Sequence, residues 1–300
     1  MTTPIRSNPV DHCLLCGCAT RVPIYTETRD LYVRVNAPER WNLVRCTSCG
    51  FVYLDPQPIP EDIGKAYENY FTHQVNSETQ HPPKRQSIVR ILLDRTALSP
   101  LRHQQRLINR MYLESLRPGK LLDVGCGNGR FLAEMRDLGW EVQGVEVDAQ
   151  AAEAARQVFG IPVFIGDLEH ASFHENSFDV VTLNHVIEHV YDPIKLLSEC
   201  RRVLRPEGML VVTTPNIRGL GLWFFGRAWA GLDAPRHLYV FSRRTLRVCI
   251  GKPDSILTNC GQRPHGPEFS SVSALDSGAI CVRNEKHNGS SWAKSPIGSF

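Results

Sequence analysis

Three glycines at alternating positions, Gly125, Gly127 and Gly129, are the residues of this 300-residue chain whose spacing most clearly indicates chemistry. They follow residues 121–124, which read as a short buried strand, and precede an amphipathic helix that begins at Phe131. Glycine lets a tight strand-to-helix turn bring its backbone against a ligand, and free N–H groups at a helix start bind anionic groups. The loop is therefore predicted to bind a nucleotide-like ligand. Its spacing differs from the glycine patterns of dinucleotide and ATP sites, which argues against NAD and ATP.

Two carboxylates follow the next two predicted strands. Residues 142–146 read as a strand with Glu146 at its C-terminal end, about one βαβ period after the glycines. An acid at that place can accept hydrogen bonds from two ribose hydroxyls. A third strand, 163–165, leads to Asp167, which could accept a hydrogen bond from an exocyclic amine such as that of adenine.

Five motifs stand in order along the chain: DVGCGNG at 123–129, GVEVD at 144–148, GDLEH at 166–170, SFDVV at 177–181, and LRPEG at 204–208 before a strand at 209–213. Over roughly residues 110–250, this order resembles the class I S-adenosylmethionine-dependent methyltransferases. The resemblance implies a doubly wound, Rossmann-like parallel sheet, and S-adenosylmethionine as cofactor. The residues that it implies for cofactor binding are Asp123, Gly125, Cys126, Gly127, Gly129, Glu146, Val147, Asp167, Leu168 and Asn184.

The resemblance also implies a role for each part of that set. The glycines would approach the amino-acid part of the cofactor, and Asp123 would either orient the loop or receive the ammonium group. Glu146 would hold the ribose, while Asp167 and the Leu168 amide would read the adenine. Asn184 would border the methyl-donor side.

Histidines after the fourth predicted strand are candidates for the reaction itself. If residues 185–190 form a helical turn, His185 and His189 lie on one face, with Glu188 beside them. One or both histidines could act as a general base. Alternatively, these three residues and the distant His237 could hold a divalent metal, as a similar Glu-x-x-Glu-His pattern does in some methyltransferases. In a third interpretation, Glu188 and His189 only brace the cofactor loop. A hydrolase-type zinc site is disfavoured by the surrounding order of motifs.

Four of the ten cysteines form two Cys-x-x-Cys pairs, Cys13 with Cys16 and Cys46 with Cys49. Two such pairs indicate a zinc ribbon, since together they present four thiolates to one tetrahedral ion. The zinc would be structural, because four thiolates leave no open position for water. Cys18 competes as a ligand if the first pair is shifted, and disulfides or incidental thiols are the alternative interpretation.

The organisation predicted for the chain is an α/β methyltransferase domain behind a small zinc module. After residue 250 the sequence is rich in Gly, Ser, Pro and Asn, so the sheet is expected to lack its last strands. The predicted parts are a zinc-ribbon-like module at 1–58, a connector and helical cap at 59–118, the S-adenosylmethionine-binding domain at 119–250, and an irregular tail at 251–300.

Composition limits the functional classes. The net charge of +3 is too balanced to argue for nucleic acid, and we expect no stable nucleic-acid partner. The first residues lack the apolar run of a signal peptide, and no apolar stretch is long enough for a transmembrane helix, so a cytoplasmic location is expected. Aromatic residues at 220–230 are predicted to form a lid over the substrate rather than a membrane contact.

These observations predict a methyltransferase acting on a small molecule, sugar or lipid-linked glycan. A zinc module ahead of this fold resembles bacterial enzymes that methylate sugars, lipid-linked glycans or secondary metabolites. One alternative is a non-catalytic, zinc-containing binding or scaffold protein. Another is a nucleic-acid methyltransferase, although the chain has no Asn/Asp-Pro-Pro-Tyr/Phe signature after the fourth strand.

Overall fold

The computed structural model describes residues 4–28, 40–67, 105–251 and 277–283. The strands are β1 (Ser7–Asn8), β2 (Arg21–Thr28), β3 (Trp41–Cys46), β4 (Val52–Leu54), β5 (Gln57–Pro58), β6 (Lys120–Val124), β7 (Glu141–Glu146), β8 (Val163–Ile165), β9 (Phe178–Asn184), β10 (Leu204–Pro215), β11 (Tyr239–Val240) and β12 (Ser277–Arg283). The α-helices are α1 (Arg130–Asp137), α2 (Ala149–Phe159), α3 (Pro193–Val203), α4 (Leu220–Phe225) and α5 (Arg243–Ile250). Residues 105–109 are also helical.

The central sheet has the order β12-β10-β9-β6-β7-β8. Its strands β6 to β10 are parallel, and helices α1, α2 and α3 connect them along the chain. The chain first runs from β6 outward to β8 and then returns to place β9 beside β6. In such sheets a ligand binds outside the carboxyl ends of the strands, where the strand order reverses. The predicted α/β doubly wound fold is confirmed.

The interior strands form because their residues are apolar on both faces. Four of the five residues of β6 and five of the seven of β9 are buried, as expected for a parallel sheet covered by helices. Local signals set the helix ends. The Asp148 side chain accepts a hydrogen bond from the Gln150 amide at the start of α2, and Ser242 and Thr245 form a capping box at the start of α5.

Strand β12 corrects the prediction of an irregular tail for residues 277–283. It pairs antiparallel with β10, from Met209 opposite Arg283 to Pro215 opposite Ser277. The apolar run in this segment is short, and its pairing with β10 joins residues far apart in the sequence, which no local pattern reveals. The remainder of the predicted tail, 252–276 and 284–300, lies outside the described residues.

A second sheet, of order β11-β4-β3-β2, is antiparallel and joins three strands of the N-terminal part to one strand that follows β10. Strand β11 follows β10 in the chain but pairs with β4 near the N-terminus. The Phe51 ring stacks on Tyr239 with 5.3 Å between the ring centroids. One hydrophobic cluster includes Cys13 and Phe51 together with Val181 and Ile250. The predicted module at 1–58 therefore shares its sheet and core with later residues, and the predicted domain boundaries remain predictions.

The aromatic residues 220–230, which are predicted to form a lid, lie in the segment 215–233 between β10 and β11. The segment contains α4 and two short 3-10 helices, Gly226–Ala228 and Ala230–Leu232. Trp223, Phe224 and Phe225 are exposed, whereas Trp229 is buried. Among the described residues, no helix is both long and apolar enough to cross a membrane.

Candidate active site

The glycine loop between β6 and α1 requires glycine at each of its three positions. Gly125, Gly127 and Gly129 have φ values of 75°, 55° and 76°, in the region that side-chain-bearing residues avoid. A Cβ on Gly125 would lie 2.4 Å from Cγ2 of Val186, and one on Gly129 would lie 2.6 Å from Cβ of Ala155. These two glycines are thus fixed by packing inside the protein. Gly125 also lies against Val186, so the loop packs directly on the segment that follows β9.

Gly127 is different, because a Cβ there would meet no protein atom within 4 Å. Its amide donates a 2.7 Å hydrogen bond to Oε2 of Glu146, at the C-terminal end of β7. The other carboxylate oxygen of Glu146 accepts from the Asp148 amide at 2.9 Å. The backbone therefore fixes this carboxylate at the open side of the glycine loop, with further acceptor capacity on both oxygens.

Asp123 lies beneath the loop and is fully enclosed by protein. The Thr182 hydroxyl donates to its Oδ1 at 2.6 Å, because the two residues are directly opposite in the β6–β9 pair. Burial raises the pKa of Asp123 to about 7; the Thr182 bond lowers it and the charge of Glu146 raises it further. The sequence interpretation missed Thr182. The sequence did indicate it, because Thr182 places a hydroxyl side chain between the apolar residues of β9.

The other predicted cofactor residues surround the same edge of the sheet. Val147 is exposed just after Glu146, and Asn184 is exposed at the end of β9. Asp167 is exposed, with its Oδ1 2.6 Å from Nδ1 of His170. The side chains of Cys126 and Leu168 are buried. Their roles as predicted cofactor contacts can therefore involve only the backbone.

The predicted helical turn at 185–190 is wrong. His185 has φ of +55° and its amide donates to the Thr213 carbonyl at 2.9 Å, which directs the chain into a turn rather than a helix. Its Nδ1 lies 3.1 Å from Oε1 of Glu188, and the imidazole is half-exposed. Burial lowers the pKa of His185, but the hydrogen bond and the charge of Glu188 outweigh this effect, so that the pKa is raised.

His189 and His237 meet on the other side of Glu188. Their ring centroids are 4.6 Å apart, edge to face. The Tyr67 hydroxyl lies 2.9 Å from Nδ1 of His189, so an aromatic residue of the connector reaches this cluster. Tyr70 and Phe71, further aromatic residues of the connector, lie outside the described residues. Burial, together with the charge of His237, lowers the pKa of His189 to about 4, which keeps this imidazole neutral at physiological pH.

The four predicted zinc ligands come together at one point of the N-terminal module. The Sγ atoms of Cys13 and Cys49 are 3.5 Å apart, as are those of Cys16 and Cys46, and all four lie within 4.8 Å of one another. All four are free thiols. Cys18 is not part of this cluster; its Sγ lies 3.1 Å from the Thr20 hydroxyl. Such separations fit four thiolates at about 2.3 Å from one tetrahedral zinc ion.

Comparison with known proteins assigns the central domain. A family model described as "Methyltransferase domain" matches residues 97–252, which is more than half of the chain. The chain belongs to this methyltransferase family. The matched region contains the glycine loop, Glu146 and the histidine cluster, whereas the four clustered cysteines lie before it.

Individual relatives of this methyltransferase match only in part. "Ubiquinone biosynthesis O-methyltransferase" of Haemophilus ducreyi is 29% identical over 155 residues, which are 48% of this chain and 63% of that protein. The protein of the same name from Proteus mirabilis is 37% identical over 111 residues, 35% of this chain and 45% of that protein. This chain thus spans less than two thirds of the length of either relative. A solved structure, a "SAM dependent methyltransferase" from Archaeoglobus fulgidus, aligns with 66% of this chain and 100% of its own at TM-score 0.44 and 19% identity.

Proposed function

We propose that this chain transfers the methyl group of S-adenosylmethionine to an oxygen of a small-molecule acceptor. The main support for this proposal is the hydrogen bond from the Gly127 amide to the Glu146 carboxylate. It holds a carboxylate against an open glycine loop at the carboxyl edge of a parallel sheet, where this fold binds ligands. Family membership supports the same reaction.

The residues at this edge fit the proposed cofactor. The space beside Gly127 would admit the amino-acid part, and a Cβ at this position would project into it. Glu146 would accept hydrogen bonds from the ribose, and Asp167 would accept one from the adenine amine. When bound, S-adenosylmethionine would supply an electrophilic methyl group to the acceptor oxygen, and the electron pair of the methyl–sulfur bond would remain on sulfur.

His185 is the residue best placed to receive the proton of an acceptor hydroxyl. Its imidazole is half-exposed at the end of β9, whereas Glu188 behind it is fully buried. The 3.1 Å contact between Nδ1 of His185 and Oε1 of Glu188 orients the ring and would stabilise its protonated form. His189 and His237 are more deeply enclosed than His185.

The class of acceptor follows from the relatives rather than from the geometry. Two of them carry the name "Ubiquinone biosynthesis O-methyltransferase", which indicates a small molecule with a hydroxyl group. By that analogy, we favour a small hydroxylated acceptor over a sugar or lipid-linked glycan.

We also propose that the four-cysteine cluster binds a structural zinc ion. Four thiolates within 4.8 Å of one another would repel each other, so all four can be ionised together only beside a cation. Gly17 and Gly50 follow the second cysteine of each pair at positive φ, which lets both pairs turn around one point.

Calorimetric titration of the zinc-loaded protein with S-adenosylmethionine tests the reaction proposal. Glu146→Gln should weaken binding at least about tenfold, because a charged hydrogen-bond acceptor is worth roughly 1.5–3 kcal/mol. Glu141→Gln is the matched control, since Glu141 begins the same strand with an exposed side chain, and it should bind as the unmodified protein does. Absence of binding by the folded protein, or equal binding by both variants, would contradict the proposal.

A further inference from the structure

A cavity lies at the carboxyl edge of the central sheet, between the end of β10 and the start of helix α5. It contains about 170 Å³ of empty space and is open to solvent. Thr214 and Asn216 line it from the strand side, and Ser242 and Arg243 line it from the helix side. None of these four residues takes part in the cofactor contacts proposed above.

The Thr214 hydroxyl is a buried donor without a partner. Thr214 is 2% exposed, and its Oγ1 has no hydrogen-bond partner within the described part of the chain. Because side chains alternate along a strand, Thr214 lies on the same face of β10 as Val212, which shares a hydrophobic cluster with Leu246 of α5. The Thr214 side chain therefore faces α5 and the cavity. A buried hydroxyl without a partner is costly, and a ligand oxygen that accepts its hydrogen bond would remove this cost.

The start of α5 offers further hydrogen-bond donors. In its capping box, Oγ of Ser242 accepts from the Thr245 amide, and Oγ1 of Thr245 accepts from the Ser242 amide. The amides of Arg243 and Arg244 lie between these two residues and have no acceptor within the helix, because no helical carbonyl precedes the first turn. Free amides at a helix N-terminus favour an anion.

The charges at this helix start also favour an anion. Arg243 and Arg244 occupy the first turn of α5, which contains no acidic residue. Cations are normally found at the other end of a helix, because the helix dipole already places positive charge at the N-terminus. Among the described residues, neither arginine forms an ion pair. An anion in the cavity would compensate both the guanidinium charge of Arg243 and the helix dipole.

We propose that this cavity binds a phosphate group carried by the methyl acceptor. The Thr214 hydroxyl, the Arg243 guanidinium and the free amides of α5 would donate to its oxygens. Phosphate fits these donors better than carboxylate, because it presents three strong acceptor oxygens.

The position of the cavity suits an acceptor that also reaches the proposed proton acceptor, His185. The His185 amide donates to the Thr213 carbonyl at 2.9 Å, so His185 lies beside the strand that carries Thr214. An acceptor lying across the ends of β9 and β10 would contact both. This role rests on the proposed methyl transfer, whereas phosphate binding itself does not.

Titration of the folded protein with inorganic phosphate, at constant ionic strength and without S-adenosylmethionine, tests the site. Amide NMR spectra should show saturable shifts at Arg243 and Arg244. Arg243→Gln should weaken binding at least about fivefold, because it removes a charged donor. Arg247→Gln is the matched control, since it removes the same charge from the last turn of the same helix, and it should bind phosphate as the unmodified protein does. Acetate should bind more weakly than phosphate.

Thr214→Val separates phosphate binding from folding. The Thr214 hydroxyl has no partner in the described part of the chain, so its removal should not lower the melting temperature measured without phosphate. It should nevertheless weaken phosphate binding about threefold.

Three results would overturn the proposal. They are failure of the folded, unmodified protein to bind phosphate at millimolar concentration, equal binding by the two arginine variants, and unchanged binding by Thr214→Val. Because the cofactor is absent from this titration, its outcome is independent of the calorimetric test of S-adenosylmethionine binding.

Discussion

Asp123 and Glu188 are both buried carboxylic acids at the carboxyl edge of the central sheet, yet their surroundings act on them in opposite directions. For Asp123, burial and the charge of Glu146 raise the pKa to about 7. For Glu188, burial also raises the pKa, but the His185 hydrogen bond and the neighbouring imidazoles outweigh it and hold the pKa below its usual range. The neighbouring groups therefore decide whether the pKa of a buried acid at this edge is raised, as for Asp123, or lowered, as for Glu188.

The raised pKa of Asp123 predicts a pH-dependent effect of Asp123→Asn. Well below pH 4 the carboxyl is protonated in both the folded and unfolded chains. As the pH rises toward 7, the unfolded chain ionises while the folded chain retains the proton, so the unmodified protein loses stability. Asparagine does not titrate, and its Oδ1 can still accept from Thr182.

Urea unfolding without ligand measures this difference. The stability of Asp123→Asn relative to the unmodified protein should increase by roughly 2 kcal/mol between pH 5 and pH 7, and then level off. The other titrating groups cancel in the comparison. A stability difference that stays constant with pH would show that Asp123 ionises normally in the folded protein.

Among the secondary-structure elements, the sequence predicted correctly those that depend mainly on neighbouring residues. The third predicted strand, 163–165, coincides with β8. Strands β11 and β12 were missed because their hydrogen bonds come from partners far along the chain. The turn at His185 was missed because its positive φ breaks the i,i+4 spacing that was used to group the histidines.

A buried ion pair connects two short elements around the histidine cluster. Arg236 and Asp233 are enclosed almost completely, and Nη1 of Arg236 donates to the Ala66 carbonyl at 2.9 Å. Ala66 belongs to the 3-10 helix Ile63–Tyr67, whose last residue contacts His189. The pair thus joins the segment before β11 to the N-terminal part of the chain, and the sequence interpretation did not identify it.

Asp233→Asn should therefore be strongly destabilising. It removes the carboxylate charge from a pair with the fully buried Arg236 guanidinium, and breaking a buried pair costs about 3–5 kcal/mol. Glu141→Gln removes one charge from the exposed pair with Lys120 and should cost less than about 1 kcal/mol. Urea unfolding of both variants at the same pH compares the two costs. Similar small losses for both would mean that the pair around Arg236 does not hold these elements together.

At the scale of the whole molecule, the two sheets are built as one unit. The antiparallel sheet includes β11, which follows β10 of the central sheet in the chain, and Phe51 packs against both Tyr239 and Phe241. Helix α5 follows immediately, and its Cys249 and Ile250 belong to the same hydrophobic cluster as Cys13 and Cys46. The sequence predicted a module ending at residue 58. The shared core instead predicts that loss of the cysteine cluster will affect the methyltransferase domain.

Cys46→Ser tests this coupling, with Cys18→Ser as the matched control. Cys46 is buried among the four clustered thiols, whereas Cys18 lies beside them and contacts Thr20 instead. Cys46→Ser should reduce zinc content and lower the melting temperature, since a structural zinc ion contributes folding energy directly. Hydrogen exchange should then accelerate in 41–54 and also in 239–250, because both segments share one sheet and core. Cys18→Ser should retain zinc and the exchange rates of the unmodified protein. Acceleration restricted to residues before 58 would instead establish an independent N-terminal module.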